Sequence, residues 1–298
     1  MNLDNADIRA WDSLQRFLFE HNPIRGEIIH LDATWRAVLE RHDYPPALRT
    51  ILGEAMAAAA LMSTTIKFAG RLVMQIQGTG PIKLLVVECT SNHTMRATAK
   101  WTEELPSGPL STMVGNGQLV ITVDPTEGRE RYQGIVSLVG ESIADALENY
   151  FTHSEQLPTR IWLTADCNQA AGMLLQRLPS DENPDPDAWT RAVELGSTIT
   201  PKELLTLSAH NIIRRLFHEE DIRVFDRIPF GFRCSCSRDG VSDVLRILGC
   251  DEVESILNEE NSIRVNCEFC NQLYEFDRVD AKHVLMVDVI PTTSKRLH

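Results

Sequence analysis

The residues of this chain best suited to chemistry are four cysteines in its last quarter, Cys234-Ser235-Cys236 and Cys267-Glu268-Phe269-Cys270, with thirty residues between the pairs. Two short-spaced thiolate pairs can close a tetrahedral site around one soft-to-borderline ion, and zinc is the usual occupant. A Cys-x-x-Cys turn brings two sulfurs and nearby backbone N–H groups onto one ion. A Cys-x-Cys pair does the same where the strand bends around the metal. No histidine lies between the pairs, so Cys234, Cys236, Cys267 and Cys270 form the natural ligand set for a single Zn²⁺. A closed four-sulfur site leaves no position for substrate. The same sulfurs are redox-active material, because metal-bound cysteines stay thiolates and thiolates are what peroxide or hypochlorous acid attacks. Oxidation of two ligands would remove two donors and release the metal. The spacing alone therefore leaves two readings open, a permanent staple and a reversible switch.

Other chemistry finds little support. Cys270 is followed by Asn271, not His, so haem attachment is not indicated, and no strand–Cys-x-x-Cys–helix pattern suggests a thioredoxin-type dithiol. The chain has no P-loop, G-x-S-x-G elbow, H-E-x-x-H or G-x-G-x-x-G. His218-Glu219-Glu220-Asp221 lacks the second histidine of a zinc protease, and Gly78-Thr79-Gly80-Pro81 reads as a hairpin turn. His93 and His153 have no nucleophile nearby in sequence, and the nine histidines read as surface or core residues. No catalytic residue is expected. Cys89, Cys167 and Cys250 stand singly among apolar residues and are expected to be buried thiols.

With 298 residues the chain suits two domains, and 43% apolar with 24% charged residues is an ordinary globular balance. A net charge of −13 argues against nucleic acid, whose affinity comes from neutralised phosphates. Residues 231–298 alone hold 8 Lys/Arg against 12 Asp/Glu, so a zinc-dependent nucleic-acid module is also disfavoured. The acidic, polar start Met1–Asp7 is no secretory signal, and the longest apolar run, Ala55–Met62, is too short to span a bilayer. A cytoplasmic location without membrane contact is expected. Disulfides are not maintained there, which is why the clustered cysteines read as metal-binding or redox-active.

The elements that must position these residues fall into three segments. Over residues 1–180 strand and helix signals give an α+β domain with a mostly antiparallel sheet and packed helices. Its strands are Phe17–Phe19, Gly26–Leu31, Gly70–Gly78, Ile82–Cys89, Met95–Trp101, Gln118–Val123, Tyr132–Leu138 and Arg160–Asp166, with a polar connection containing Pro125 and Gly128. Pro45-Pro46 opens a long helix to about Lys67, and Ser142 precedes one to about Thr152. Ser180-Asp-Glu-Asn-Pro-Asp-Pro-Asp187 marks a linker, and 181–230 reads as a helical segment. From Pro201 its helix carries an apolar stripe of Leu204, Leu205, Ile212, Ile213, Leu216 and Phe217. The stripe either packs on one domain or docks releasably. Residues 231–298 predict a small domain with helices near Val241–Leu248 and Glu252–Asn258, a strand pair Ser262–Val265 and Gln272–Phe276, and a last helix Val279–Val287. A unit this small commonly needs a staple, which zinc supplies.

These residues together resemble the thirty-three-kilodalton redox-regulated heat-shock chaperone family (HslO). The resemblance lies in Phe232-Arg-Cys234-Ser-Cys236, the thirty-residue gap, and Val265-Asn-Cys267-Glu-Phe-Cys270 with Tyr274 and Phe276-Asp277. It continues upstream in Gly80-Pro-Ile82, Gly117–Thr122, Tyr132–Val136, Ser142–Phe151 and Ala171–Gln176, over essentially the whole length. The resemblance implies an ATP-independent holdase for unfolded client proteins, inactive when reduced and zinc-bound, and activated by oxidative stress combined with unfolding conditions. It implies that Cys234, Cys236, Cys267 and Cys270 are the zinc ligands and that they oxidise to Cys234–Cys236 and Cys267–Cys270 disulfides. It further implies a metastable linker near 181–230 whose unfolding exposes a client surface, and a homodimer on activation. The alternative is a constitutive scaffold or chaperone with a permanent structural zinc site.

Overall fold

The computed structural model describes residues 12–66, 68–102, 105–106, 108–125, 131–180 and 185–286. It opens with β1 (Ser13–Phe19) and β2 (Ile24–Leu31), an antiparallel pair around the Asn22-Pro23 turn. Helix α1 (Ala33–Leu39) follows without a sequence signal of its own. Its cap is the Asp12 carboxylate, which accepts from the backbone N–H groups of Asp32, Ala33 and Thr34 at 3.0, 2.9 and 2.8 Å. A cap twenty residues away in the chain cannot be read from local spacing.

Helix α2 (Pro46–Thr65) begins with proline at its first turn, where the missing N–H is harmless. It ends two residues before the expected Lys67, which lies outside the described residues. Every residue from Ala55 to Met62 is buried, so the helix is apolar all round, and its alanines let neighbouring strands approach closely.

Next come β3 (Gly70–Gln77), β4 (Ile82–Thr90), β5 (Thr94–Trp101), α3 (Leu110–Val114), β6 (Gln118–Pro125) and β7 (Tyr132–Ser137). Gly128 of the β6–β7 connection lies outside the described residues. The Gly78–Gly80 turn is a hairpin turn pressed onto α3. A Cβ on Gly78 would stand 2.1 Å from the Val114 carbonyl oxygen, and Gly80 N–H donates to that oxygen at 2.7 Å. Helix α4 (Ile143–His153) starts at a complete capping box of Ser142 and Asp145.

The strands β8 (Thr159–Ala165) and β9 (Ala170–Arg177) complete the first sheet. β9 escapes sequence reading as a strand because Ala170 through Gln176 are all buried, which removes the period-two alternation. The acidic stretch 181–184 lies outside the described residues. Helices α5 (Ala188–Gly196), α6 (Pro201–Thr206) and α7 (Ala209–Phe217) follow. The single helix expected from Pro201 is two, because Leu207 is extended and Ser208 caps α7 by accepting from Asn211 N–H at 3.3 Å. Short strands β10 (Ile222–Val224), β11 (Ile228–Pro229) and β12 (Gly231–Phe232) bring the chain to Arg233.

The first sheet runs β10-β1-β2-β9-β8, with β11 also on β1, and all its pairs are antiparallel. The second runs β12-β5-β4-β3-β6-β7, antiparallel except for the β12–β5 pair. α2 packs against strands of both sheets and shares one core with them. The opposite face of the first sheet carries α5, α6 and α7, where Phe217 meets Phe17 and Phe19 at ring separations of 5.8 and 5.2 Å. All six residues of the predicted apolar stripe are buried.

The chain divides into one unit ending at Arg233 and a second beginning at Cys234. The second holds α8 (Arg238–Leu248), α9 (Cys250–Glu260), the hairpin β13 (Ser262–Asn266) and β14 (Leu273–Asp277), and α10 (Arg278–Met286). Val287, the expected end of the last helix, lies outside the described residues. The architecture is α+β with antiparallel sheets. No helix among the described residues is long and apolar enough to cross a membrane.

Two of the three isolated cysteines differ from expectation. Cys89 is buried, and burial pushes its thiol up to about 11. Cys167 and Cys250 are exposed. Cys167 lies in the β8–β9 turn, where Asp166 Oδ1 accepts from Asn168 and Gln169 N–H, both at 2.7 Å. Cys250 is the first residue of α9, on its outer side. The apolar neighbours that suggested burial belong to adjoining elements.

Candidate metal centre

The chain folds locally to present its two cysteine pairs from opposite directions in the sequence. Cys234 and Cys236 lie in the segment leading into α8, whose first turn is capped by Ser237 accepting from Gly240 N–H at 3.1 Å. Cys267 and Cys270 form the β13–β14 turn. There Cys267 N–H donates to the Gln272 carbonyl at 3.0 Å and Asn271 N–H to the Cys267 carbonyl at 2.8 Å. Asn271 takes the left-handed conformation, φ +58°, which asparagine tolerates better than most residues.

All four Sγ atoms lie within 4.8 Å of one another. Cys234 and Cys267 sulfurs are 3.7 Å apart, and Cys236 and Cys270 sulfurs 3.3 Å. Four thiolates bound at about 2.3 Å around one zinc would be separated by about 3.8 Å, so the cluster has nearly the dimensions of a zinc tetrathiolate. The four residues singled out by sequence are thus brought together, and they form the one such metal-capable group among the described residues.

The surroundings favour thiolate only in part. Backbone N–H groups of Cys270 and Phe269 point at the Cys267 sulfur, and that of Gln272 at Cys270. Burial outweighs them, raising the Cys267 thiol and pushing Cys270 up to about 12. Hydrogen bonds with the neighbouring sulfurs also raise Cys270, whereas at Cys267 the bond with Cys234 raises the thiol and that with Cys270 lowers it. A divalent cation at the centre would invert this balance. Tyr274 donates its hydroxyl to Cys236 Sγ at 3.1 Å, and this bond is the main reason the phenol is raised to about 12. The donor set, four mutually close sulfurs with N–H and O–H donors around them, fits zinc, which would supply a structural cross-link with no open coordination position.

The framework around the cluster is slight. Its buried core consists of Leu245, Val253, Leu257, Ile263, Phe276 and Ala281. Arg238 braces it, with its guanidinium 4.2 Å from the centre of the Phe276 ring and bonds to the Glu275 carbonyl at 2.8 Å and Asp280 Oδ2 at 2.7 Å. Sequence reasoning offered no role for Arg238 and noted Tyr274 only as part of a motif. Both act through contacts that only the folded hairpin creates.

Two largely antiparallel sheets around a buried helix, followed in the chain by a small four-cysteine unit, make up the architecture. The family model described as Hsp33 protein matches residues 12–277. A 33 kDa chaperonin of Methylobacillus flagellatus is 51% identical, covering 94% of this chain and 96% of the relative. Another from Nitrosococcus oceani is 49% identical over 96% of this chain and 98% of its own length. The crystal structure of the Thermotoga maritima 33 kDa chaperonin (heat shock protein 33 homolog) superposes with a TM-score of 0.81. It covers 93% of this chain and 99% of that one at 22% identity, and so shares the fold. The chain belongs to the Hsp33 family, a non-enzymatic chaperone family.

Proposed function

We propose that this chain is a redox-regulated, ATP-independent holdase that captures unfolding proteins under oxidative stress in the cytoplasm. The observation that carries the reading is the convergence of four sulfurs, all within 4.8 Å, in a unit whose described residues include only six buried apolar ones. Such a unit depends on its metal for folding, so chemistry at the sulfurs becomes a conformational signal.

In the resting state Cys234, Cys236, Cys267 and Cys270 hold one Zn²⁺. Oxidation removes the thiolates, zinc departs, and the small domain 231–298 loses its staple. The segment 181–230 is the metastable element between that domain and the chaperone domain 1–180. Its release uncovers apolar surface for clients, and activated chains associate as homodimers. The disulfides formed are Cys234–Cys236 and Cys267–Cys270. A disulfide across one intervening residue is cramped and therefore readily reduced, which suits a reversible signal. The distances favour a second pairing as well, since the two close contacts across the cluster are Cys234–Cys267 and Cys236–Cys270. Those links would tie the two cysteine pairs together and keep the unit closed.

The test is suppression of aggregation of a chemically unfolded client, with zinc release followed in the same tube. Reduced protein is compared with protein treated with peroxide at elevated temperature, and disulfides are mapped by mass spectrometry. Activity that appears with zinc loss and is reversed by thiol supports the proposal. Equal activity in both forms overturns it and leaves a permanent structural zinc site.

A further inference from the structure

The first sheet carries a cavity with two arginines in its lining that the cysteine chemistry does not use. In the β1–β2 pair Arg16 stands opposite Glu27, and Leu18 opposite Arg25. Period-two alternation puts Arg16, Arg25 and Glu27 on the face that sends Leu14, Ile29 and Leu31 into the α2 core. These residues surround a cavity of about 210 Å³ together with Leu178 and Phe225.

Arg25 is held in place from behind. Its Nε donates to Gln176 Oε1 at 3.0 Å, with Nη2 donating to the same oxygen. Gln176 is fully buried, and its amide donates to Thr159 Oγ1 at 2.7 Å. Arg16 lies over the Phe225 ring, 5.8 Å from its centre. Neither Arg16 nor Arg25 forms an ion pair with a described residue, whereas Arg36, Arg71, Arg96, Arg131, Arg160 and Arg191 each do.

Glu27 is the one acid among the described residues of the cavity lining and offsets at most one of the two guanidinium charges. Thr64 Oγ1 lies 2.6 Å from Glu27 Oε2 and 3.0 Å from the Leu61 carbonyl oxygen. Thr64 donates its hydroxyl to Glu27 Oε2, a bond that favours the carboxylate. Burial outweighs that bond and raises the Glu27 carboxyl to about 7. Two guanidinium groups therefore share the cavity with at most one negative charge: burial depresses the pKa of Arg25 most, Glu27 raises it, and Arg16 depresses it further.

We propose that the Arg16–Arg25 cavity is an oxyanion-binding site that takes a phosphate group. Guanidinium offers paired N–H donors at the spacing of phosphate oxygens, and an anion between two like charges removes their repulsion. Occupancy also bears on the neighbouring segment, because Phe225 N–H donates to the Arg16 carbonyl at 3.0 Å and Phe225 forms a wall of the cavity. Bound phosphate holds that segment on β1 and stabilises the first unit.

Thermal unfolding of the full-length, zinc-loaded, reduced protein tests this, with inorganic phosphate titrated against chloride at matched ionic strength. Calorimetric titration of the same ion gives the affinity. The expected result is a saturable rise in Tm with phosphate alone, and at least tenfold weaker binding in Arg16→Gln and Arg25→Gln. Arg16 is exposed and makes no side-chain hydrogen bond to a described residue, so Arg16→Gln keeps the test usable if Arg25→Gln fails to fold. Phenyl phosphate distinguishes the source: competition with phosphate means that phosphate esters enter, and its failure restricts the site to the free ion. Equal effects of phosphate and chloride, or undiminished phosphate binding by Arg16→Gln, would overturn the proposal.

Discussion

His30 of β2 places its Nε2 2.9 Å from the carbonyl oxygen of Leu204 in α6. The ring is buried, and the Leu207 carbonyl is a second acceptor for it. A polar bond thus joins the sheet to the helical segment within an interface otherwise made of Leu204, Leu205, Ile212, Ile213, Leu216 and Phe217 against Phe17, Phe19 and Ile28. His30→Leu would leave buried carbonyl oxygen without its donor, a loss of about 1–3 kcal/mol. Amide exchange should then quicken across residues 201–217 and remain unchanged in β3–β6. Uniform protection in the variant would show that the apolar stripe alone holds the segment.

The same histidine and two carboxyls oppose one another in pH. Burial lowers His30 from 6.5 to about 4, against the two carbonyl bonds and with a small contribution from Arg227. A depressed histidine contributes stability that is complete above 6.5 and declines as pH falls towards 4. Burial raises Glu27 from 4.5 to about 7, against its Thr64 bond and the charges of Arg25 and Arg16, and raises Glu54 to about 7 by desolvation alone. A raised carboxyl contributes stability that is complete below 4.5 and declines as pH rises through 7. Glu27→Gln removes one of these contributions, on the order of 3 kcal/mol at most. Denaturant unfolding at pH 5 and pH 7.5 should show a smaller gain on acidification in the variant than in the parent. Parallel pH profiles would contradict a raised Glu27 carboxyl.

How legible these features are in sequence depends on what surrounds each element. β3 and β4 show one face to α2 and the other outward, so their alternation is visible in the residues. β9 is covered on both faces, and α1 takes its cap from Asp12, so neither announces itself locally. The four-cysteine cluster is legible because turn chemistry fixes Cys-x-x-Cys spacing. His30, Glu27 and Tyr274 are not, because their roles come from Leu204, Thr64 and Cys236, which lie 174, 37 and 38 residues away.

Tyr274 should set metal affinity without being a ligand. Its hydroxyl donates to Cys236 Sγ at 3.1 Å, a bond that stabilises the thiolate over the thiol. Tyr274→Phe keeps the ring and removes only the donor. Competition with a chromophoric chelator should show zinc affinity weakened about tenfold, near the lower end for lost outer-shell partners. The far-UV spectrum of the loaded variant should match the parent. Unchanged affinity would mean that the N–H groups of Phe269, Cys270 and Gln272 supply all the stabilisation the sulfurs need.

Metal removal should separate the two units. Among the described residues, the first has a core of more than forty buried apolar residues, and the second has six. Apolar burial on the latter scale stabilises by only about 1.5–3 kcal/mol per large side chain before chain entropy is subtracted, so the second unit lacks a margin without its ion. Stripping zinc from reduced protein with a chelator should therefore open residues 234–286 to proteolysis and leave β1–β9 protected. Leu257→Ala, which deletes one of the six buried side chains, should produce the same cleavage at lower chelator concentration, with a loss of about 2–5 kcal/mol. Re-adding zinc should restore protection in the parent. Cleavage that begins within β1–β9, or a second unit that stays protected without metal, would show that packing rather than zinc maintains it.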